Sequence, residues 1–336
     1  MNSLVIDRPM TGRNSSLVHS DERGMMITKH LQGEQWDVAR RLGNSLAWEQ
    51  IAPQINGVKS PRLISHDDNA ITHEYILGGV SLQEKIDEMQ SPSEVLDDLE
   101  RAASMLGRLH SFPTSRAKTI LGRASKEDRP VPDRGLLDRL EGLTVNEYAA
   151  ASGGELQCWS LFHHDSVLQG AMRAWAGMTP ARTTLIHGDL RPDQFLLTGE
   201  ECWLVDWEEF TLGSAMHDLA GLLGALVFRA MFSTFSAPPS STDVAEIHRS
   251  LVARGQESLD ELRPVVRRVL DSYTQAGGRV DDVVELARWT SWYLVERVIA
   301  RSVFNVDLSP TDKAVAGVGR QGIIEPSSML EALEVA

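Results

Sequence analysis

Apolar and polar residues alternate in short runs through the first eighty residues of the chain. The runs "SSLVH" and "GMMITKHL", separated by the turn-rich "SDERG", predict a β-hairpin over residues 15–31. Apolar residues then recur at helical spacing from Trp36 to Ile51, which predicts an amphipathic helix. The stretch "PRLISHDDNAITHEYIL" predicts two more strands around the turn "HDDN". We therefore expect a small antiparallel sheet with one helix packed on it.

Helical periodicity dominates after the glycine pair at 78–79, where we predict a hinge. Helices are predicted over residues 94–112, 134–150, 157–176, 216–235, 243–256, 258–276 and 281–303. Two β-like runs, "LIHGDLRPDQFLL" (185–197) and "CWLVDW", interrupt them, and "SAPPSST" (236–242) is a loop between helices. The pattern predicts an α+β fold of two lobes, a β-rich lobe over residues 1–77 and a helical lobe over 78–336. A cleft between two lobes is the default place for a ligand.

Composition narrows the classes of function. The 336-residue chain has a formal net charge of −14, which disfavours a nucleic-acid-binding role. Cys158 and Cys202 are far apart and outside any CxxC pattern, so we expect neither a disulfide scaffold nor a structural zinc site. The N-terminus does not resemble a signal peptide, and the apolar segment 219–232 is too short to span a bilayer and contains Arg229. We expect a cytoplasmic protein without membrane association, with 219–232 as a buried helix.

The acids in the two β-like runs have the spacing that phosphoryl transfer requires. This reaction uses one carboxylate to orient the acceptor hydroxyl and further oxygen ligands to hold Mg²⁺. The run "HGD" ends at Asp189, and Gln194 follows five residues later, the offset of the kinase catalytic loop. Asp206, in "VDWEE", takes the place of the second metal-binding acid. Glu208 projects to the same side if the chain stays extended, and it is either a metal ligand or a solvated carboxylate.

These two segments, "HGDLRPDQ" and "LVDWEEFTLGSAMHDLA", resemble the aminoglycoside phosphotransferase and choline-kinase group, and the lobe order extends the resemblance over nearly the whole chain. The resemblance implies a bilobal protein-kinase-like fold and ATP and Mg²⁺ as cofactors. It implies that Asp189 orients the acceptor hydroxyl and that Gln194 and Asp206 bind Mg²⁺. Asp218 would brace the catalytic loop, and His187 would support its backbone.

The same resemblance implies nucleotide contacts in the small lobe. A lysine on the third strand should hold the triphosphate, and Lys29 is the only lysine before position 59. Its helix partner would be Glu49, with Glu34 as the alternative. The segment "TGRNSS" (11–16) offers backbone N–H groups and the side chains of Asn14, Ser15 and Ser16 to phosphate. In "HEYI" (73–76), Tyr75 belongs either to the adenine-binding hinge or to the core.

The acceptor is less closely defined by the sequence. The helices predicted to lie on the acceptor side carry several acids. These acids either bind ammonium groups of an aminoglycoside or lie on solvated helix faces. They are Asp133, Asp138, Glu141, Glu257, Asp260, Glu261, Asp281 and Asp282. The segments "GRNSS" and "RPDQFLL…VDWEEF…LG" resemble the kinase subunits of class V lanthipeptide and thioamitide biosynthesis. That resemblance implies phosphorylation of Ser or Thr in a precursor peptide, followed by elimination by a separate HopA1-like lyase subunit.

Two alternatives remain open at this stage. One is a kinase for an aminoglycoside or another small-molecule alcohol. The other is a pseudokinase scaffold subunit, because Gln194 is one methylene longer than the asparagine of the family motif. The glutamine still offers a carbonyl oxygen, and Lys29, Asp189 and Asp206 are all present, so we expect an active enzyme.

Overall fold

The computed structural model describes residues 14–21, 24–121, 134–180, 182–236 and 241–335. The strands in these residues are β1 (Ser15–Asp21), β2 (Gly24–His30), β3 (Leu63–His66), β4 (Ala70–Glu74), β5 (Val80–Ser81), β6 (Thr184–Ile186), β7 (Phe195–Thr198), β8 (Glu201–Leu204) and β9 (Thr211–Gly213). The helices are α1 (Gln35–Ile51), α2 (Leu82–Glu88), α3 (Leu96–His110), α4 (Thr114–Leu121), α5 (Arg134–Glu141), α6 (Val145–Ala150), α7 (Gly153–His163), α8 (Ser166–Ala176), α9 (Ala215–Ser236), α10 (Val244–Gln275), α11 (Val283–Ser302), α12 (Pro310–Ile324) and α13 (Pro326–Leu333).

The predicted hairpin forms one side of a four-stranded antiparallel sheet with the order β1-β2-β4-β3. In this register Lys29 of β2 lies opposite Ser16 of β1 on one side and opposite Ile71 of β4 on the other side. Lys29 therefore lies on the second strand among the described residues, in agreement with the predicted hairpin. Because residues 1–13 lie outside the described residues, the third-strand position implied by the resemblance stays a prediction. The antiparallel sheet and the helical remainder confirm the predicted α+β class.

Helix α1 packs on this sheet and also reaches the rest of the molecule. Val38 joins Leu31 and Ile71 in a small apolar cluster under the sheet. The other end of the helix inserts Trp48 into the main core, where its ring stacks on Trp207 with 3.4 Å between ring centroids. The helix thus connects the sheet rigidly to the loop that follows β8.

Two small sheets in the second part of the chain carry the predicted catalytic segments. Strands β5, β7 and β8 pair in that order, and β6 pairs with β9. The loop between β6 and β7 contains Asp189, and the loop between β8 and β9 contains Asp206. Because β6 pairs with β9 and β7 pairs with β8, both loops emerge at the same edge.

Several helix boundaries differ from those that periodicity predicted. The segment 134–150 is divided into α5 and α6, and 157–176 is interrupted where Asp165 caps α8 by accepting a hydrogen bond from Leu168 N at 3.0 Å. Residues 243–276, predicted as two helices, form the single helix α10, because one glycine at 255 costs a helix only about 1 kcal/mol. The sequence analysis did not include α12 and α13.

Helix α9 is the apolar core helix of the second lobe. Among the described residues it is the one helix long and apolar enough to cross a membrane by length and composition, but most of that segment is buried in the fold. This burial agrees with the expectation of a core helix over 219–232. Gly221 lies on the face against the catalytic loop, where a Cβ atom would overlap the carbonyl oxygen of Leu190.

Gly221→Ala should therefore destabilise the protein. The added methyl group forces α9 away from the loop, and overpacking of this kind costs about 1–3 kcal/mol. Chemical denaturation measures the loss. The matched control is Gly170→Ala in α8, where a Cβ atom meets nothing within 4 Å, and there we expect a gain of up to about 1 kcal/mol. Equal effects of the two variants would contradict the close approach of α9 to the loop.

Candidate active site

Backbone hydrogen bonds hold the two catalytic segments side by side. Val205 N donates to Gln194 O at 3.0 Å, and the His187 ring shares a hydrogen bond of 2.9 Å between Nε2 and Val205 O. His187 is fully buried and lies against Trp207. These contacts place Asp189 and Asp206, which are distant in sequence, at the same edge of the fold.

Asp218, at the start of α9, holds the backbone of the catalytic loop. Its carboxylate accepts hydrogen bonds from His187 N at 2.6 Å and Gly188 N at 3.0 Å, and it lies 3.2 Å from Nε2 of His110. Burial alone would raise the pKa of Asp218, but the hydrogen bond and the charge of His110 hold this pKa below its usual value. Gly188 has φ +86° and lies so close to Glu209 O that a Cβ would overlap it. The loop is thus held in one conformation by a buried carboxylate.

Asp189 lies next to an arginine of its own loop. Arg191 Nη1 donates to both carboxylate oxygens of Asp189, at 2.9 and 3.1 Å, and Arg191 Nε donates to Asp193 at 3.2 Å. About half of the Asp189 side chain, 47%, is exposed to solvent. Loss of hydration in the cleft nevertheless raises the pKa of Asp189, against the opposite effect of Arg191. A carboxylate with a raised pKa is a better proton acceptor.

Gln194 is 3% exposed, and its carbonyl oxygen is engaged within the loop. Oε1 accepts a hydrogen bond from Arg191 N at 2.9 Å, whereas Nε2 is buried without a partner among the described residues. The carbonyl oxygen is the only side-chain atom of glutamine that binds a cation. In this conformation Gln194 stabilises the loop, and its role as a metal ligand stays a prediction.

Lys29 forms ion pairs with the two acids after β8. Its Nζ lies 2.5 Å from Asp206 Oδ1 and 3.1 Å from Glu208 Oε2. Burial lowers the pKa of Lys29, but the two carboxylates outweigh it and raise the pKa above the usual value. For Asp206, burial is likewise outweighed by Lys29, so its pKa is lowered, whereas burial and repulsion from Asp206 raise the pKa of Glu208. Asp206 adopts a left-handed backbone with φ 71°, which aspartate tolerates better than most residues.

The pair expected between Lys29 and Glu49 is not formed among the described residues. Glu49 instead lies 3.9 Å from His73 Nε2. The helix face toward the site carries Arg41, which is fully buried and lies 3.5 Å from Glu208 Oε2, and Asn44, which donates to Glu208 O at 2.9 Å. The sequence analysis missed Arg41. Helical periodicity could have indicated this residue, because residues 41, 44 and 48 lie on one face of the predicted helix.

The small-lobe residues predicted to bind nucleotide have separate positions. Asn14 Nδ2 donates to both Glu208 oxygens, at 3.1 and 3.2 Å, and its Oδ1 accepts from Arg41. Ser15 and Ser16 begin β1, and residues 11–13 of the predicted phosphate loop lie outside the described residues. Tyr75 N donates to Met25 O at 3.0 Å beside the predicted hinge. Glu34, the alternative helix acid, precedes α1 as its N-terminal capping residue.

The acids expected to face the acceptor are mostly engaged elsewhere. Glu141 pairs with Arg173, Asp260 with Arg263, and Asp281 with Arg182 and Arg279. Asp282 caps the N-terminus of α11. Three further acids lie on helix surfaces, namely Asp138, Glu257 and Glu261, and Asp133 lies outside the described residues. An acid that the sequence analysis missed, Glu296 of α11, interacts electrostatically with Asp189.

The acids after β8 fit a divalent cation bound together with a nucleotide. No group of three or more potential ligands occurs among the described residues. Mg²⁺ in nucleotide sites is bound by one or two carboxylates and completes its coordination with phosphate oxygens and water. Asp206 and Glu208 provide two such carboxylates, and Lys29 brings them together. The donor set is therefore suited to Mg²⁺.

His73, on the strand next to Lys29, provides a pH test of this cleft. Burial lowers the pKa of His73 to about 4, whereas an unfolded histidine titrates near 6.5. Between these values the unfolded chain binds more protons, so stability falls as the pH is lowered from about 6.5 to 4. We expect His73→Gln to remove about 2–3 kcal/mol of this pH-dependent loss. Denaturation of both proteins at pH 8 and at pH 4.5 measures it, and parallel curves would contradict the burial of a neutral imidazole.

A lysine paired with two acids, next to a carboxylate on a braced loop, forms the candidate active site and is the arrangement expected of a kinase-like phosphotransferase. Residues 18–265 match the model of the phosphotransferase enzyme family APH. The chain belongs to this family, and it is an ATP-dependent phosphotransferase. No curated protein matches the sequence significantly.

Solved structures show the same fold at low sequence identity. The macrolide 2′-phosphotransferase of Brachybacterium faecium is 15% identical, with 96% of this chain and 92% of that chain covered and a TM-score of 0.51. An amicoumacin kinase in complex with AMP-PNP, Ca²⁺ and Ami is 13% identical, with coverage of 96% and 88% and a TM-score of 0.54. A Plasmodium vivax ethanolamine kinase is 12% identical, with coverage of 98% and 83% and a TM-score of 0.52. At these identities the similarity establishes the fold.

Proposed function

We propose that this protein transfers the γ-phosphate of Mg-ATP to the hydroxyl group of an alcohol in the cytoplasm. The observation that supports this most directly is the juxtaposition of Lys29 with Asp206 and Glu208 beside the loop that carries Asp189. In this reaction the hydroxyl oxygen bonds to the γ-phosphorus, and the bond from that phosphorus to the β,γ-bridging oxygen breaks. ADP leaves, and the hydroxyl proton passes to Asp189.

The two acids after β8 have separate tasks from Asp189. Asp206 and Glu208 would hold Mg²⁺, which neutralises negative charge on the transferring phosphate. Lys29 then exchanges its carboxylate partners for phosphate oxygens, since it is a point charge with three donors. Arg41 and Asn14 keep the Glu208 carboxylate in position while this happens.

The acceptor that we propose first is a small-molecule alcohol. The kinases of similar fold are named for a macrolide, amicoumacin and ethanolamine, which are all small molecules. For a polycationic aminoglycoside, some of the acids that could bind its ammonium groups are paired with arginines, as in Glu141–Arg173 and Asp260–Arg263, whereas Glu257 and Glu261 lie on helix surfaces outside such pairs among the described residues. The acids therefore do not single out this acceptor class.

A peptide acceptor is the second candidate. The motif resemblance to lanthipeptide and thioamitide kinases supports Ser or Thr of a precursor peptide, with elimination by a HopA1-like lyase. The open acceptor side supports it as well, since Asp189 and Asp193 have side chains 47% and 50% exposed. An acceptor hydroxyl within a longer chain can approach such a site.

Mass spectrometry after incubation with Mg-ATP tests the proposal. Small alcohols and serine-containing peptides are compared, with Asp189→Asn as the impaired control. We expect a phosphate adduct on at least one class with the wild-type protein, and at least about 10²-fold slower formation of that adduct with the variant. If wild-type protein forms neither adduct nor ADP with any acceptor, the proposal is wrong and a pseudokinase scaffold is favoured. Phosphate found only on peptides reverses the order of the two candidates.

A further inference from the structure

Helix α1 of the small lobe is hydrogen-bonded directly to the loop that follows β8. Arg40 donates to both carboxylate oxygens of Glu209, from Nη1 at 2.7 Å and from Nη2 at 2.9 Å. One helical turn further on, Asn44 Nδ2 donates to the carbonyl oxygen of Glu208 at 2.9 Å. The two contacts span 169 and 164 residues of sequence. Polar bonds from α1 therefore join the small lobe to the second lobe.

The backbone of Glu209 lies against the catalytic loop, directly beside the residue that precedes Asp189. A Cβ atom added at Gly188 would overlap the carbonyl oxygen of Glu209. On its other side, Gly188 N donates to Asp218 Oδ1 at 3.0 Å, and Gly188 has φ +86°. Gly188 is thus held between Asp218 and Glu209. A displacement of Glu209 changes the space available to the backbone that orients the Asp189 carboxylate.

The Arg40–Glu209 pair is suited to transmit a displacement of α1. Its side chains are 28% and 15% exposed, so solvent screens the pair less than it screens a surface pair. The bidentate arrangement fixes both the direction and the distance between the two groups. Asp37 Oδ1 accepts a further hydrogen bond from Arg40 Nη2 at 2.6 Å, which holds the guanidinium group on the helix. Residue 209 therefore follows the position of α1 closely.

We propose that Arg40 is a positioning residue that couples the small lobe to the catalytic loop through Glu209. The inference rests on the proposed phosphate transfer and deepens it, because it assigns to α1 a part in orienting Asp189. Helix α1 also packs on the sheet that carries Lys29. A nucleotide that orders this sheet therefore orders the catalytic loop as well, and the site is complete only when the small lobe is occupied.

Arg40→Gln tests the coupling in turnover. Glutamine is polar but cannot form the bidentate pair, so the backbone of Glu209 loses its fixed position. We expect kcat to fall by about 10- to 10²-fold, the effect of a small misplacement of reacting groups, while KM for ATP stays within about twofold. Initial rates of ADP formation, with an acceptor that the wild-type protein phosphorylates, give both values. Glu209→Gln should have the same effect, and the double variant should lose no more than either single variant.

Hydrogen–deuterium exchange with Mg-ADP measures the coupling without turnover. In the wild-type protein, saturating Mg-ADP should slow amide exchange in β2 and in the catalytic-loop peptide, residues 185–197. In Arg40→Gln the slowing in β2 should remain, and the slowing in residues 185–197 should be lost. Arg40→Lys keeps the charge but not the planar fork, so it should retain an intermediate part of the slowing. Arg40→Lys also decides the question if Arg40→Gln does not fold.

Lys59→Gln is the matched control. Lys59 also forms an ion pair between the lobes, with Glu201, but both side chains are 47% exposed. An exposed pair contributes little, so this variant should keep the kcat of the wild-type protein and the slowing in both regions. Loss of the slowing in Lys59→Gln as well would assign the effect to general loosening of the lobes and would overturn the role of Arg40.

The exchange data separate this inference from the proposed function. If no acceptor is phosphorylated by the wild-type protein, the proposed function fails, and the effect of Mg-ADP on residues 185–197 still decides the role of Arg40. Equal slowing in the wild-type protein and Arg40→Gln overturns the inference, because the nucleotide then acts on the loop without α1. Absence of slowing in this region of the wild-type protein overturns it too, as do additive losses of kcat in the double variant.

Discussion

Asp189→Asn lowers kcat for phosphate transfer by about 10²- to 10⁴-fold, the range expected when a general base is removed. The amide keeps the size of the carboxylate but cannot accept the hydroxyl proton at neutral pH. It also loses the bidentate contact with Arg191 Nη1, so the loop residue that orients the acceptor loses its own support. Initial rates of ADP formation and of product formation, measured at saturating ATP, give the change.

Asp193→Asn is the control for this prediction. Asp193 lies in the same loop, contacts the same arginine through Nε, and has a side chain 50% exposed. An exposed ion pair contributes about 0.2–1 kcal/mol, so we expect less than a fivefold change in kcat. Equal losses in the two variants would assign the effect to Arg191 and not to the Asp189 carboxylate.

The pH dependence of the rate offers an independent check of Asp189. Only the ionised carboxylate accepts the hydroxyl proton, so activity increases as the pH rises through the pKa of this group. Burial raises that pKa above the usual aspartate value. The acidic limb of kcat/KM should therefore lie at a higher pH than the titration of an ordinary aspartate, and it should be absent from the residual activity of Asp189→Asn.

Asp218→Asn destabilises the protein by about 3 kcal/mol, because two buried backbone N–H donors lose a charged acceptor and hydrogen bonds to charged groups contribute about 1.5–3 kcal/mol each. Asp218 is fully buried and accepts hydrogen bonds from two backbone N–H groups of the catalytic loop, besides its contact with His110. An amide satisfies at most part of this set and presents an N–H group to another donor. The catalytic loop then loses its fixed conformation, so kcat falls as well. Urea denaturation and initial rates measure the two effects.

Asp312→Asn separates loss of stability from loss of the catalytic loop. Asp312 is also buried, pairs with Arg301 at 3.1 Å and contacts Ser309 at the start of α12. Its replacement should lower stability by a comparable amount but leave kcat of the folded protein unchanged. If Asp218→Asn retained full kcat at temperatures where it is folded, the bracing role of Asp218 would be refuted.

Acid denaturation should distinguish these two variants from each other. The pKa of Asp218 is lower in the folded protein than in the unfolded chain. Its contribution to stability is therefore complete above the unfolded value near 3.9 and is lost as the pH falls through the folded value. Asp218→Asn should lack this part of the acid transition, whereas Asp312→Asn should retain it.

Local spacing predicted the strands and the first helix of the β-rich lobe. The hairpin β1–β2, helix α1 and strands β3 and β4 follow from alternation and helical periodicity. Lys29 was identified because no other lysine precedes position 59. Helix ends were less predictable, since Asp165 ends one predicted helix by capping the next, and one glycine did not interrupt α10. A capping residue and a glycine inside a helix each change the stability of that helix by only about 1 kcal/mol, and tertiary packing easily overrides effects of this size.

The expected Lys29–Glu49 pair shows the limit of such reasoning. Helical periodicity indicates which residues share a face, but it does not indicate which neighbour that face meets. Trp48 stacks on Trp207, and this contact turns Arg41 toward Glu208 and leaves Glu49 beside His73. The sequence analysis therefore expected the acid Glu49 on the face of α1 toward the site, whereas the fold places the buried Arg41 there.

The sequence alone determined the candidate catalytic residues and their offset, because Asp189 and Gln194 lie within one short loop whose spacing is covalent. Only the tertiary structure decided how distant residues combine. Lys29 meets Asp206 across 177 residues, and no periodic pattern records that pairing. Spacing along the chain constrains near neighbours, whereas packing of the core selects the distant ones.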